Sequence, residues 1–207
     1  MNGTSLLTNK KQAILTRLSK GDFDAFLYDC DGTLADSMEG HKASYRAAAL
    51  MCGFELDDTI IDELAGWPIL QVAEEIRKRY DGSFIPAEFT QLKNKLYEDT
   101  FIIDTKPIEF VVAHLKAHAG KVRIGVVSGG SRISVSRTLQ QLGIASLVEI
   151  LVCAGETPRG KPYPDPFLHA AARLYVEPSR CLVFEDAHAG VQSAEAAGMK
   201  WIRIDHV

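Results

Sequence analysis

Apolar residues follow two rhythms along this chain. Five short runs are almost unbroken: AFLY (25–28), KVRIGVVSGG (121–130), VEILVCAGE (148–156), CLVFEDA (181–187) and KWIRID (200–205). Between them VVAHLKAH, SRISVSRTLQQLG, PDPFLHAAARLYV and AGVQSAEAAG space their apolar positions three and four apart, which is the period of an amphipathic helix. Gly143 and Gly198 stand where helix C-caps are expected. Apolar strands alternating with helices predict a parallel sheet covered on both faces, joined by right-handed crossovers.

One gap breaks the alternation. From Ser37 to about residue 106 no strand pattern is present, and helical spacing covers 38–52, 57–65, 69–80 and 86–103. The expected organisation is an α/β core made of residues 1–36 and 105–207, with an inserted α-helical cap at 37–104 entered through short hinges near residue 36 and 104–107. At the start of the chain Leu7, Ile14, Leu15 and Leu18 fit one face of a short helix. Lys10, Lys11 and Arg17 interrupt that segment, so it does not read as a secretory signal.

Composition narrows the class of partner. The 207 residues can bury a substantial core, and the formal charge is −4. No basic run exceeds Arg77-Lys78-Arg79, which reads as a solvated helix face, so nucleic acid is not the expected partner. No apolar run is long enough to cross a bilayer, so no membrane partner is expected either. Cys30, Cys52, Cys153 and Cys181 are scattered without metal-ligand spacing. They read as reduced, buried, small apolar residues of a cytoplasmic protein. With no heptads and no obvious exposed apolar stripe, a monomer is expected.

The chemistry-bearing residues collect at the ends of the predicted strands: Asp29-Cys30-Asp31-Gly32-Thr33, Ser128-Gly129-Gly130, Gly160-Lys161-Pro162 and Glu185-Asp186. In an open parallel sheet, ligands bind outside those carboxyl ends. Two acids so close at a buried strand end disfavour each other's charge unless they are solvated or a cation sits between them. Each motif alone has a plain structural reading: a turn, a helix capped by Ser131, a surface lysine, a helix start. Their order at successive strand ends points to a phosphate bound beside a divalent cation. Asp29, Asp31, Glu185 and Asp186 offer the hard oxygens that Mg²⁺ prefers. A carboxylate can attack phosphorus while a second one moves the proton. Ser128, the backbone around Gly129 and Lys161 can hold the phosphoryl oxygens.

Together, DCDGTLADS, VVSGG, GKPYPDPF and FEDAHAGVQSAEAAGM resemble the four motifs of the haloacid dehalogenase-like phosphohydrolase superfamily. The resemblance runs from Asp24 to the end of the chain. It implies a Rossmann-like core, Asp29 as nucleophile, Asp31 as acid/base, and a helical cap that closes over the site and selects substrate. GHKASYRAAALMCGF and the following Gly-Trp-Pro turn are similar to the beta-phosphoglucomutase-like group. That group includes phosphatases of fructose 1-phosphate and 6-phosphogluconate. His41 aligns with a histidine of that group, and His41 and Trp67 are expected to face the substrate from the cap. Asp31 argues against dehalogenation. Trp67-Pro68-Ile69 after Gly66 replaces the Ser-Arg pattern of the mutases, removing the arginine expected to grip a second phosphate. The expected function is a Mg²⁺-dependent phosphatase of a small phosphate ester, a sugar phosphate, acting through an aspartyl-phosphate. The alternatives are a mutase of the beta-phosphoglucomutase type and an inorganic pyrophosphatase. A non-catalytic receiver-like module shares the acids and the lysine, but a signalling surface gains nothing from a lid.

Overall fold

The computed structural model describes residues 3–65, 67–80 and 82–207; Gly66 of the Gly-Trp-Pro turn lies outside them. In chain order, α1 (Gly3–Leu18) leads into β1 (Ala25–Tyr28) and the two-residue β2 (Ala35–Asp36). Four helices follow: α2 (Met38–Met51), α3 (Thr59–Glu63), α4 (Ile69–Arg79) and α5 (Pro86–Leu96). After the two-residue β3 (Lys106–Pro107), α6 (Glu109–His118), β4 (Arg123–Val127), α7 (Arg132–Gln141) and β5 (Ile150–Val152) alternate. The chain ends with α8 (Asp165–Leu174), β6 (Cys181–Glu185), α9 (His188–Ala196) and β7 (Lys200–Arg203).

Five strands form one parallel sheet in the order β5-β4-β1-β6-β7. The strands read as continuous apolar runs because both faces are covered. Phe26, Tyr28, Ile124, Val126, Leu182 and Phe184 pack on one side with Val111, Leu115 and Leu139. Ala25, Leu27, Val127, Cys181 and Val183 pack on the other with Phe167, Ala170 and Ala194. Successive residues thus alternate between two cores, the two-residue period of a strand. β1 lies at the centre, so Asp29 emerges between the ends of β4 and β6.

A third apolar cluster is confined to the helical insert, where Tyr45, Ala48, Leu56, Ile60, Leu64, Val72, Ile76 and Phe89 bury one another. The chain leaves and returns through β2 and β3, which pair antiparallel, Ala35 with Pro107 and Asp36 with Lys106. Two-residue strands carry no period and leave no trace in the sequence pattern. The predicted helix over 86–103 is regular only to Leu96. It then widens into a π turn at Tyr97–Phe101 and tightens into a 3₁₀ turn at Ile102–Asp104.

The amino-terminal helix departs from its predicted face. Leu15 is fully buried and Ile14 half-buried, whereas Leu7 and Leu18 are exposed. α1 rests chiefly on one neighbour, α6, so only a narrow strip of it is covered. All four cysteines are free; Cys30, Cys153 and Cys181 are buried, but Cys52, just past the end of α2, is half-exposed.

Beneath the sheet, His114 of α6 has no solvent exposure. Its Nδ1 meets the Tyr28 hydroxyl at 2.9 Å and its Nε2 the Ser19 hydroxyl at 2.8 Å, and the ring stacks on Phe26. A neutral imidazole offers one donor and one acceptor, which two hydroxyls satisfy. Burial first, and the adjacent His118 second, push the His114 pKa down to about 3. Between there and the ordinary histidine value the unfolded chain binds a proton that the folded one refuses. Stability is therefore held above pH 6.5 and lost as pH falls through that window, at up to about 1.4 kcal/mol per pH unit. Urea unfolding at pH 7 and pH 5 should show His114→Gln losing less stability over that interval than the parent; equal losses would contradict the assignment.

Candidate active site

The loop after β1 is folded tightly on itself. Leu34 and Ala35 both donate to the Cys30 carbonyl, and the Gly32 N–H donates to that of Ala35 at 2.8 Å. A side chain at Gly32 would put its Cβ 2.3 Å from an Asp186 oxygen, so only glycine lets this loop meet the end of β6. Thr33 fixes the junction by donating to Asp186 Oδ1 at 2.7 Å.

Lys161 sits at the centre of the site. It is buried, and its ammonium donates to Asp29 Oδ1 and Glu185 Oε1 at 2.6 Å each and to the Val127 carbonyl at 3.0 Å. Three acceptors match its three N–H groups. Burial opposes its charge, but the two carboxylates win and hold it protonated well above the usual lysine range. Both oxygens of Glu185 are engaged, since the second accepts the Ala187 N–H at 2.9 Å. A Cβ on Gly190 would fall 1.7 Å from Glu185 Oε1, so α9 can pass this carboxylate only at a glycine.

Asp29, Glu185 and Asp186 each place a carboxylate oxygen within 4.8 Å of the others. Burial, then the negative charge of Glu185 and Asp186, raises the Asp29 pKa despite Lys161. Burial and Glu185 raise that of Asp186 to about 7. Three close, hard donors, two buried and one half-buried, with one ammonium among them suit a divalent cation, which would reverse both shifts. The Asp31 carboxylate, also expected to be a ligand, lies outside this group and turns to the opposite wall.

On that wall Asp31 Oδ1 accepts from Ser37 at 2.6 Å and meets His41 Nε2 at 2.9 Å. Burial pushes Asp31 upward, but His41, Ser37 and Lys93 outweigh it and bring its pKa down to about 2. The two aspartates of one motif are thus driven apart by their surroundings. Lys93 Nζ lies 2.8 Å from His41 Nδ1 and over the rings of Tyr45 and Tyr97. An ammonium only donates, so Nδ1 must accept, and the His41 proton resides on Nε2, directed at Asp31. Tyr97, in the π turn, stacks on the His41 ring at 3.9 Å.

Lys93 and Ser37 were not singled out by the sequence, and Thr33 was named at its strand end without a role. For Lys93 a signal existed: it falls four residues after Phe89 and four before Tyr97, on the stripe that a helix buries. The remaining expected residues line the same space. Ser128 and Gly129 face Asp29 across a narrow cleft of about 100 Å³, roofed by Met38, His41, Leu64 and Val72. Ser128 Oγ accepts the Gly130 N–H at 3.0 Å. Trp67 lines the cleft but remains 41% exposed.

Known proteins are similar to this chain in sequence and fold. The family model of the haloacid dehalogenase-like hydrolases matches residues 23–198. Fructose-1-phosphate phosphatase YqaB of Escherichia coli (strain K12) is 28% identical over 177 residues, 86% of this chain and 94% of that protein. Hexitol phosphatase A of the same organism is 31% identical over 182 residues, 87% of this chain and 82% of that one. The crystal structure of beta-phosphoglucomutase from Clostridium difficile superposes with a TM-score of 0.74 at 27% identity, covering 87% of this chain and 84% of that one. A match over most of the chain, on a sheet whose strand ends carry the acids, the serine and the lysine, settles the membership. The chain belongs to the haloacid dehalogenase-like hydrolases and is a phosphoric monoester hydrolase.

Proposed function

We propose that this protein hydrolyses a sugar phosphate through a phosphoryl group carried on Asp29, with Mg²⁺ as its metal and residues 37–104 acting as a cap over the core. The observation that carries the reading is the division of labour between the two aspartates: Asp29 is bound to Lys161 and the acidic cluster, Asp31 to the His41–Lys93 pair. The names of the relatives, a fructose-1-phosphate phosphatase and a hexitol phosphatase, support the substrate class.

Lys161 holds Asp29 Oδ1, leaving Oδ2 to attack phosphorus as the bond to the ester oxygen breaks. Asp31, ionised at rest, takes up a proton from solvent or from the ester monoanion as substrate binds and delivers it to that oxygen, so the alcohol leaves neutral. The approaching phosphate dianion raises the Asp31 pKa from its low resting value, and the His41 N–H orients the carboxyl group. Water then attacks the phosphorus, Asp31 takes its proton, and the Asp29 carboxylate is regenerated with release of inorganic phosphate. Ser128 and the Gly129 backbone, which line the cleft with Asp29, donate to the transferring oxygens in this reading. Bound by Asp29 and Asp186 beside Glu185, Mg²⁺ would supply charge neutralisation between the nucleophile and the phosphate. Closure of the insert excludes bulk water from the first step.

Phosphate release should be measured on fructose 1-phosphate, 6-phosphogluconate, glucose phosphates, nucleotides and pyrophosphate, with Mg²⁺ and with a chelator. Metal-dependent release from sugar phosphates, lost in a folded Asp29→Asn variant, is expected. Interconversion of hexose phosphates without net release would indicate the mutase instead, and selective cleavage of pyrophosphate the pyrophosphatase.

Burial lowers the Lys93 pKa to about 8, so Lys93 is charged below that pH and neutral above it. Neutral Lys93 no longer dictates the His41 tautomer. kcat/KM should therefore decline above pH 8 in the parent. Lys93→Met should be at least about tenfold slower at pH 7, a fraction of a general-acid contribution, with a deficit that shrinks as pH rises to 9. A deficit constant between pH 6.5 and 9 would contradict this role.

A further inference from the structure

The amino-terminal helix α1 precedes residue 23, where the family match begins, and its charge sets it apart. The chain's 23 bases and 27 acids give −4; the first 21 residues hold four of those bases and no acid, so the remainder stands at −8. Elsewhere arginines such as Arg46, Arg79 and Arg180 meet carboxylates. Lys10, Arg17 and Lys20 are exposed, and among the described residues no carboxylate pairs with them.

The inner side of α1 is firmly held. Leu15 is buried, Lys11 donates to the Val207 carbonyl at 2.7 Å and lies over the Phe110 ring, and Ser19, just past the helix end, meets His114. Those contacts fix which way every other side chain of the helix points. At 3.6 residues per turn, Leu7, Ile14 and Leu18 lie about 60–100° round the helix from Leu15, and Lys10 and Arg17 about 140–160° round. An apolar row about 16 Å long, at 1.5 Å per residue from Leu7 to Leu18, thus runs beside a basic row. Leu7 is 56% exposed and Leu18 48%.

This arrangement selects among occupants. A planar anionic surface pressed on α1 would meet the bases, which point away from the core, while the leucine row stands to one side; a helix that lies on a membrane points its apolar face at the bilayer. A second copy laid α1 to α1 would set Lys10 and Arg17 against like charges. Laid on the body of a second copy, α1 would need acids such as Asp24, Asp58 and Asp62, which Arg180, Arg46 and Lys42 already hold. A slender acidic segment lying along the helix can cover the apolar row and pair with the basic one.

We propose that this flank of α1 docks an acidic amphipathic helix of another protein, whose apolar side covers Leu7, Ile14 and Leu18 and whose carboxylates meet Lys10 and Arg17.

The test uses the full chain and a fluorescent synthetic helical peptide with leucines at the a and d positions of its heptads and glutamates at e and g. Anisotropy should show saturable binding that weakens as salt rises. Lys10→Glu with Arg17→Glu, and separately Leu7→Ser with Leu18→Ser, should each weaken it at least about tenfold, a loss of 1.4 kcal/mol. The charge-reversed variant should instead bind the same peptide with lysine in place of glutamate. All four positions are exposed, and circular dichroism checks that each variant keeps its fold. No saturable binding would overturn the proposal, as would equal binding of a peptide with the same composition in scrambled order, which would mean attraction by charge alone. Two further outcomes would also overturn it: cosedimentation with phosphatidylserine vesicles that the serine pair abolishes, indicating a membrane surface, and concentration-dependent self-association that either pair abolishes, indicating a second copy.

Discussion

Crowding of buried negative charge at the ends of β1 and β6 is the constraint on which the site depends. Asp29, Glu185 and Asp186 converge within a few ångströms, and the chain supplies one ammonium, from Lys161, to hold them. Removing one partner of such a buried pair costs about 3–5 kcal/mol, because it strands the other charge. The neighbourhood is built around that contact. Gly190 lets α9 pass Glu185, Gly32 lets the loop after β1 reach Asp186, and the Val127 carbonyl completes the lysine's coordination. The deficit of positive charge that remains is what makes the site receptive to a divalent cation and, through it, to a phosphate.

The helical insert acts on the other aspartate. Asp31 is held as a carboxylate by residues contributed from 37 to 93, through Ser37, His41 and Lys93. The same insert reaches the core near its own exit: Glu98 in the π turn accepts from Ser134 of α7 at 2.6 Å, and Tyr97 joins His41 to Thr105. π turns occur often at functional sites. Here one places the ring that stacks on His41, so the seating of the insert on the core and the contacts made by Asp31 are linked.

Much of this was legible in the residues. β1 was bounded correctly because AFLY stops at a charge, while β4 and β5 came out shorter than their apolar runs because turns at Ser128 and Cys153 keep small or apolar residues. The clustering of Asp29, Ser128, Lys161, Glu185 and Asp186 followed from placing them all at strand ends of one parallel sheet. The direction of each carboxylate did not follow. Asp29 and Asp31 lie two residues apart, yet their partners are Lys161 and His41, on opposite walls. Lys93 escaped because a helix lysine normally faces water, and its phase with Phe89 and Tyr97 competes with that expectation. Leu7 and Leu18 failed in the opposite sense, since an amphipathic face needs a neighbour broad enough to cover it.

The central claim is that the phosphoryl group passes through the Asp29 carboxylate. Borohydride reduces an acyl phosphate to the alcohol, which converts the phosphorylated aspartate to homoserine. Quenching the enzyme with borohydride during steady-state turnover of a sugar phosphate, followed by peptide mass spectrometry, reads the site directly. The account predicts homoserine at position 29 and at no other aspartate. Homoserine at position 31, or none at any position while turnover proceeds, would contradict it.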